Sequence, residues 1–272
     1  MSLEAVKSDT QQDSPLKGKI AVVTGSNRGI GRAIAVEMAR AGAAVAASAR
    51  DVSTLEPTTR EIGELGAECL AVACDVADEG SVEALGNAVL ERFGQADVVV
   101  ANAGVAGPTK SMHEITLAEW RECVSTDLDG VYLTFKRFIP AMIERRSGSL
   151  IAISSMTGKR PLGGRTPYAA AKMGVIGLCR TLAVELGPHA IRVNSVCPGA
   201  VEGPRIVDVV RKQAAAQGIS EEAAQRQFTD PAPLKRFVTA EEVARACVFL
   251  ASDVSSAITG EDLNVNAGVA MY

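Results

Sequence analysis

Seven short, almost wholly apolar runs, separated by longer amphipathic stretches, restrict this chain to an α/β architecture. The runs are Ile20–Thr24, Ala44–Ala49, Cys69–Ala73, Asp97–Ala101, Leu150–Ser154, Arg192–Val196 and Leu263–Val265. A strand with one wet face alternates apolar and polar residues; a run without that alternation suits a strand covered on both faces. Helical patterns lie between the runs, at Gly29–Ala41, Leu117–Arg145, Thr166–Leu186 and Ala240–Ser252. Gly42 is placed to stop the first of these and Thr239 to cap the last. Repeated strand–helix–strand units predict a single doubly wound domain, with a parallel sheet of about seven strands and helices on both faces.

No composition break divides the chain, so one domain is expected over residues 18–272, after a polar, flexible leader at residues 1–17. The segment 199–236 fits no sheet strand and has a charged helical pattern, which marks it as a candidate lid over a substrate. Hydrophobic residues make up 47% of the 272, enough for a large aliphatic core. A net charge of −4 gives no general attraction to nucleic acid or an anionic membrane, and no run approaches the ~20 apolar residues of a membrane span. Cys69, Cys74, Cys123, Cys179, Cys197 and Cys247 form no CxxC pair and read as buried, reduced thiols of a cytoplasmic protein. His113 and His189 stand far apart, so no metal site is expected.

Two motifs carry chemistry. The first strand ends in Thr24-Gly25-Ser26-Asn27-Arg28-Gly29-Ile30-Gly31 and a helix follows at once. Glycines there let the backbone approach a diphosphate, and the helix start offers unpaired N–H groups to the anion. A tight structural turn is the plainer explanation of glycines taken alone. The second motif follows the fifth strand, where Ser154 and Ser155 precede a helix opening with Tyr168-Ala169-Ala170-Ala171-Lys172. Residues four apart share a helix face, and an ammonium beside a phenol favours the phenolate, making it a proton donor and acceptor near neutrality. Such a pair in isolation is usually a surface contact; the glycine turn changes that balance.

Together these residues resemble the short-chain dehydrogenase/reductase family, over nearly the whole chain after the leader. The resemblance takes in Thr24–Gly31, Asp75-Val76, Asn102-Ala103-Gly104, Ser155, the Tyr168–Lys172 pair, Asn194-Ser195-Val196 and Cys197-Pro198-Gly199. It implies a Rossmann-like fold and a hydride transfer between NAD(P)(H) and a small carbonyl or secondary-alcohol substrate. Tyr168 would exchange the proton, Ser155 would hydrogen-bond the substrate oxygen, and Lys172 would assist Tyr168 and hold the nicotinamide ribose. Gly25, Asn27, Arg28, Gly29, Ile30 and Gly31 would carry the diphosphate. Asp75 and Val76 would line the adenine, and Asn102, Ala103 and Gly104 would brace the sheet beneath the cofactor. Pro198, Gly199 and the backbone of Val201 would pass the nicotinamide. Members of this length are often homotetramers, which the two long helices could assemble.

Two positions depart from the family pattern. Asp127 stands where an asparagine is usual, which questions the proton relay, and Gly203 stands where many members have a threonine. At the end of the second strand Ala49 occupies the place of an NAD-selecting acid, with Arg50 next to it and Arg28 in the glycine loop. Two guanidinium groups near one ribose suit a 2′-phosphate, so NADP(H) is expected to be preferred and NAD(H) remains possible, the more so if Asp51 pairs with Arg50. The substrate pocket is expected from Val105–Pro108, Met156–Pro167 and the lid, and Lys159, Arg160 and Arg165 read chiefly as a solvated basic loop. A dinucleotide sensor without catalysis is the alternative, against which the complete Ser155, Tyr168 and Lys172 set argues; a methyltransferase has no use for the tyrosine–lysine pair.

Overall fold

The structure, a computed structural model, describes residues 14–272. Seven strands form one parallel sheet: β1 (Ile20–Thr24), β2 (Ala44–Ala49), β3 (Cys69–Ala73), β4 (Val98–Ala101), β5 (Gly148–Ile153), β6 (Ile191–Pro198) and β7 (Asp262–Val265), in the order β3-β2-β1-β4-β5-β6-β7. The helices are α1 (Gly29–Arg40), α2 (Glu56–Glu64), α3 (Glu79–Phe93), α4 (Leu117–Val124), α5 (Gly130–Arg145), α6 (Met156–Lys159), α7 (Thr166–Leu186), α8 (Pro204–Gln217), α9 (Glu221–Thr229) and α10 (Ala240–Ala251).

Burial on both faces explains the apolar runs of the five central strands; the edge strands depart from it, since β3 has no buried residue, with Ala71 and Ala73 exposed, and β7 buries only Asp262. Ala21, Val23, Val98, Val100, Ile151 and Ile153 point into the core shared with α1 and α10. Their neighbours Val22, Val99, Ala101, Leu150 and Ala152 point into the opposite core, with Leu85, Phe135, Phe138 and Val175 from α3, α5 and α7. Successive side chains of a strand alternate faces, and here each face meets an apolar helix layer. Thr239 caps α10 as anticipated, in a reciprocal box with Glu242.

Three expectations need correction. The long helix at Leu117–Arg145 is broken: α4 and α5 are joined by one π-helical turn, Ser125–Asp129, which the 3.6-residue pattern continues through and so conceals. The leader ends sooner than residue 17, because Leu16 is wholly buried and its N–H bonds Ala41 O at 2.9 Å; the remainder, 1–13, lies outside the described residues. Five cysteines are buried, but Cys69 is only partly so. Among the described residues no helix is long and apolar enough to cross a membrane.

Segment 199–236 rises from the end of β6 as α8 and α9, held together by Val210, Ala214 and Ala224 with Ile206 and Phe228. Its two ends meet again at a neck, where Val201 pairs with Val238 and Val238 N–H bonds Ala200 O at 3.0 Å.

Candidate active site

The strand order reverses between β1 and β4, and the connections leaving these strands run in opposite directions from a crevice at the sheet's carboxyl edge. Thr24 ends β1, and its Oγ1 accepts the N–H groups of Asn102 and Ala103 at 3.0 and 3.1 Å. In return Asn102 Nδ2 donates to the carbonyls of Thr24 and Gly25, at 2.8 and 3.1 Å. The glycine turn is therefore fastened to the strand beside it. Gly25 and Gly29 take positive φ, and Gly31 packs so closely that a methyl group there would collide with Gly25 O and the Asn102 amide. Arg28 precedes α1 in extended conformation without a side-chain cap, so the first-turn N–H groups of α1 have no side-chain partner. This cradle fits a diphosphate.

The other expected cofactor residues converge on the same edge. Arg50 follows β2 and is exposed; Asp75 and buried Val76 follow β3; Ala103 and Gly104 follow β4; Pro198 and Gly199 leave β6, with Val201 at the neck. Asp51 does not pair with Arg50. Its carboxylate accepts the N–H and the hydroxyl of Ser53 at 2.9 and 2.7 Å, bonds that hold it below the usual carboxylate range. Neither Arg28 nor Arg50 has a carboxylate partner among the described residues. Sequence reasoning missed the support under the turn: Asn27 bonds Thr54, and Thr58 Oγ1 donates to Ser26 O at 2.8 Å. These residues lie about thirty positions away, with no motif to signal them.

On the other side of the crevice, β5 delivers Ser154 and Ser155. Ser154 Oγ donates to Lys172 O at 2.7 Å, which commits it to the backbone of α7. Ser155 Oγ accepts the N–H of Thr157 at 3.0 Å, which orients the hydroxyl and leaves its proton for another acceptor. Tyr168 is half-buried one helical turn from Lys172, whose Nζ stands 5.7 Å from the phenol ring centre. Lys172 is 3% exposed, and its Nζ donates to Ile153 O at 3.0 Å. Strand end, serine, phenol and ammonium are thus one assembly.

Asp127, in the π-turn, is fully buried. Its Oδ1 accepts the Val105 N–H at 2.7 Å and its Oδ2 faces the Cys123 thiol at 3.9 Å. A methyl group on Gly104 would lie 2.6 Å from Asp127 Oδ1 and 3.5 Å from Lys172 Nζ, so carboxylate and ammonium converge on one glycine without a direct ion pair. Burial, with Asp127 adjacent, pushes the Cys123 thiol up to about 12 and keeps it uncharged.

The basic loop is not a solvated one. Arg165 is 5% exposed, and the Lys159 side chain is 8% exposed in an ion pair with Asp262 at 2.6 Å; only Arg160 is in solvent. Among the described residues no group of three His, Cys, Asp or Glu side chains has metal-binding geometry.

An all-parallel, doubly wound sheet with a glycine cradle, Ser155 at the end of β5, and Tyr168 one helical turn from a buried Lys172 defines a dinucleotide-dependent oxidoreductase of the short-chain dehydrogenase/reductase family, and the chain belongs to it. Residues 25–270 match the family model described as enoyl-(acyl carrier protein) reductase. The chain is 37% identical to the granaticin polyketide synthase putative ketoacyl reductase 1 of Streptomyces violaceoruber, covering 93% of each. It is 38% identical to the cis-4-hydroxycyclohexanecarboxylate dehydrogenase of Sinomonas cyclohexanicum, covering 92% of this chain and 96% of that one. Among solved structures, actinorhodin polyketide ketoreductase, crystallised with NADPH, superposes with a TM-score of 0.89 at 36% identity, covering 93% of this chain and 98% of that one.

Proposed function

We propose that the protein is an NADPH-dependent reductase of a ketone or 3-oxoacyl-type substrate, with Tyr168 as the proton donor. The observation that carries this is the joining of Ser155, Tyr168 and Lys172 at the end of β5, beside the glycine cradle. The names of the ketoacyl reductase and ketoreductase relatives support the substrate type. A bound nicotinamide supplies the hydride. Ser155 O–H donates to the substrate oxygen and fixes it near Tyr168. The Tyr168 hydroxyl gives its proton to that oxygen, and the Lys172 ammonium stabilises the phenolate left behind. Reprotonation of Tyr168 passes by Lys172, whose Nζ lies near Gly104, as does the Asp127 carboxylate.

The unpaired Arg28 and Arg50 support NADP(H) over NAD(H), since each has a guanidinium free for a 2′-phosphate and Asp51 is committed to Ser53. NADPH oxidation with a panel of ketones tests the whole reading. The expected kcat/KM is higher for NADPH than for NADH, and Arg50→Ala lowers that ratio about tenfold. A chain preferring NADH, or an unchanged ratio in the variant, would overturn the cofactor preference. Cofactor binding with no turnover in either direction would favour the sensor.

Asp127→Asn keeps the shape and the Val105 hydrogen bond, turns an amide donor toward Cys123 in place of an acceptor, and removes a negative charge from beside Lys172. The carboxylate stabilises the ammonium and opposes a phenolate, so its removal eases phenolate formation. In alcohol oxidation, where Tyr168 must accept a proton, the rising limb of the pH–rate profile is expected to move to lower pH. Superimposable profiles at saturating cofactor would remove Asp127 from the relay.

Exposed Tyr132 on α5 and Met173 and Val184 on α7 support assembly through the long helices into a tetramer. The buried free thiols support a reducing, cytoplasmic setting.

A further inference from the structure

Arg165 is a buried cation without an acid. It precedes α7, is 5% exposed, and forms no ion pair among the described residues. Its Nη2 donates to Ala106 O at 2.6 Å, while its Nε is buried with no hydrogen-bond partner. Burial is the main influence on the group and draws its proton affinity below the guanidinium norm. A buried donor of this kind is unfavourable unless something else completes it.

Its position says what that something adjoins. The guanidinium carbon lies 4.7 Å from the centre of the Tyr168 ring. Arg205, from the first turn of α8, stands 5.8 Å from the same ring and donates to Val105 O at 2.7 Å. Two consecutive carbonyls, Val105 and Ala106, therefore hold two guanidinium groups against the proton donor. Arg205 is exposed and, among the described residues, also lacks a carboxylate partner, whereas Arg145, Arg180 and Arg236 each have one. Asp127 is the acid nearby, and its Oδ1 is committed to the Val105 N–H.

We infer that the substrate carries a carboxylate a few bonds from its ketone, recognised by Arg165 and Arg205 beside the Tyr168 ring, the Arg165 Nε edge opening to it on binding. A planar carboxylate matches a guanidinium fork and supplies the missing acceptor, and its charge offsets the two cations. A neutral ketone would leave Arg165 unsatisfied in the loaded site. The inference deepens the reductase reading and rests on it for the carbonyl alone.

The test uses the full chain with NADPH and four probes: 3-oxobutanoate, 4-oxopentanoate and their methyl esters. The expected acid-to-ester ratio in kcat/KM is at least about thirtyfold for one pair, and Arg165→Gln collapses it by at least about tenfold through KM. Being a ratio, this readout is insensitive to the fraction of variant that folds. Arg205→Gln, at an exposed position, is the second variant and lowers it less. An equal loss for acid and ester in Arg165→Gln, read as an unchanged ratio, would assign Arg165 to Tyr168 instead and overturn the inference. Calorimetric titration of the NADPH-saturated chain with butyrate and butyramide reads the site without turnover. Butyrate binding that exceeds butyramide binding, and that Arg165→Gln abolishes, supports the anion site even if none of the four ketones is reduced. Reduction of esters as readily as acids sinks the anion site and leaves the reductase standing.

Discussion

Tyr168→Phe is expected to lower kcat by about two to four orders of magnitude while NADPH still binds. The substitution deletes one oxygen and leaves the ring, which packs among Arg165, Lys172 and Arg205 at 4.7, 5.7 and 5.8 Å from its centre. Those neighbours keep the phenyl group in place, so the loss measures proton transfer and not a displaced helix. Lys172 remains anchored to Ile153 O, and Ser155 remains oriented by Thr157. Stopped-flow binding of NADPH and steady-state turnover of one ketone separate the two effects. A phenylalanine variant with kcat near that of the parent would remove Tyr168 from the mechanism.

The second large effect is expected from Gly31→Ala. Its new methyl group would meet the Gly25 carbonyl and the Asn102 amide. Neither can yield freely, because Asn102 Nδ2 is committed to two carbonyls and its backbone N–H to Thr24 Oγ1. Overpacking of this kind costs about 1–3 kcal/mol, which in a domain of this size lowers Tm by roughly 5 °C. It also pushes the turn away from the sheet, so NADPH affinity should fall at least about tenfold, since the turn's N–H groups no longer converge. Thermal melting with and without NADPH reads both quantities. Parent-like Tm together with parent-like affinity would contradict the packing of this turn.

The central strands were legible because burial on both faces leaves a continuous apolar mark in the sequence, and the edge strand β3 keeps that mark although Ala71 and Ala73 are exposed. Five of the seven runs coincide with a strand to within one residue at each end; β5 begins two residues before its run, at Gly148, and β6 continues to Pro198, where β7 pairs with its last four residues. Helix α7 has the boundaries its pattern gave, Thr166–Leu186. The π-turn was hidden, since one extra residue within a helix changes no composition and only slightly disturbs its period. The resemblance pointed to Asp127, but nothing local foretold that Val105 would fix one oxygen and Cys123 face the other. Arg165 was read as solvated because a short loop of Lys, Arg and Gly usually is. Its burial depends on Ala106, 59 residues earlier, and on a helix that begins 39 residues later at Pro204. Arg205 carried no sequence signal, because it meets Tyr168 only after α8 folds back over the crevice.

The neck at Val201–Val238 separates two kinds of inheritance within one chain. Because the ends of the α8–α9 excursion already touch, its length can change at little entropic cost, about 0.6 kcal/mol for each doubling. Descendants could therefore trade this excursion as a unit, acquiring a different selector above the crevice while Ser155, Tyr168 and Lys172 stay seated on β5 and α7. The neck thus lets the excursion change length without moving the strand ends that carry the reacting groups.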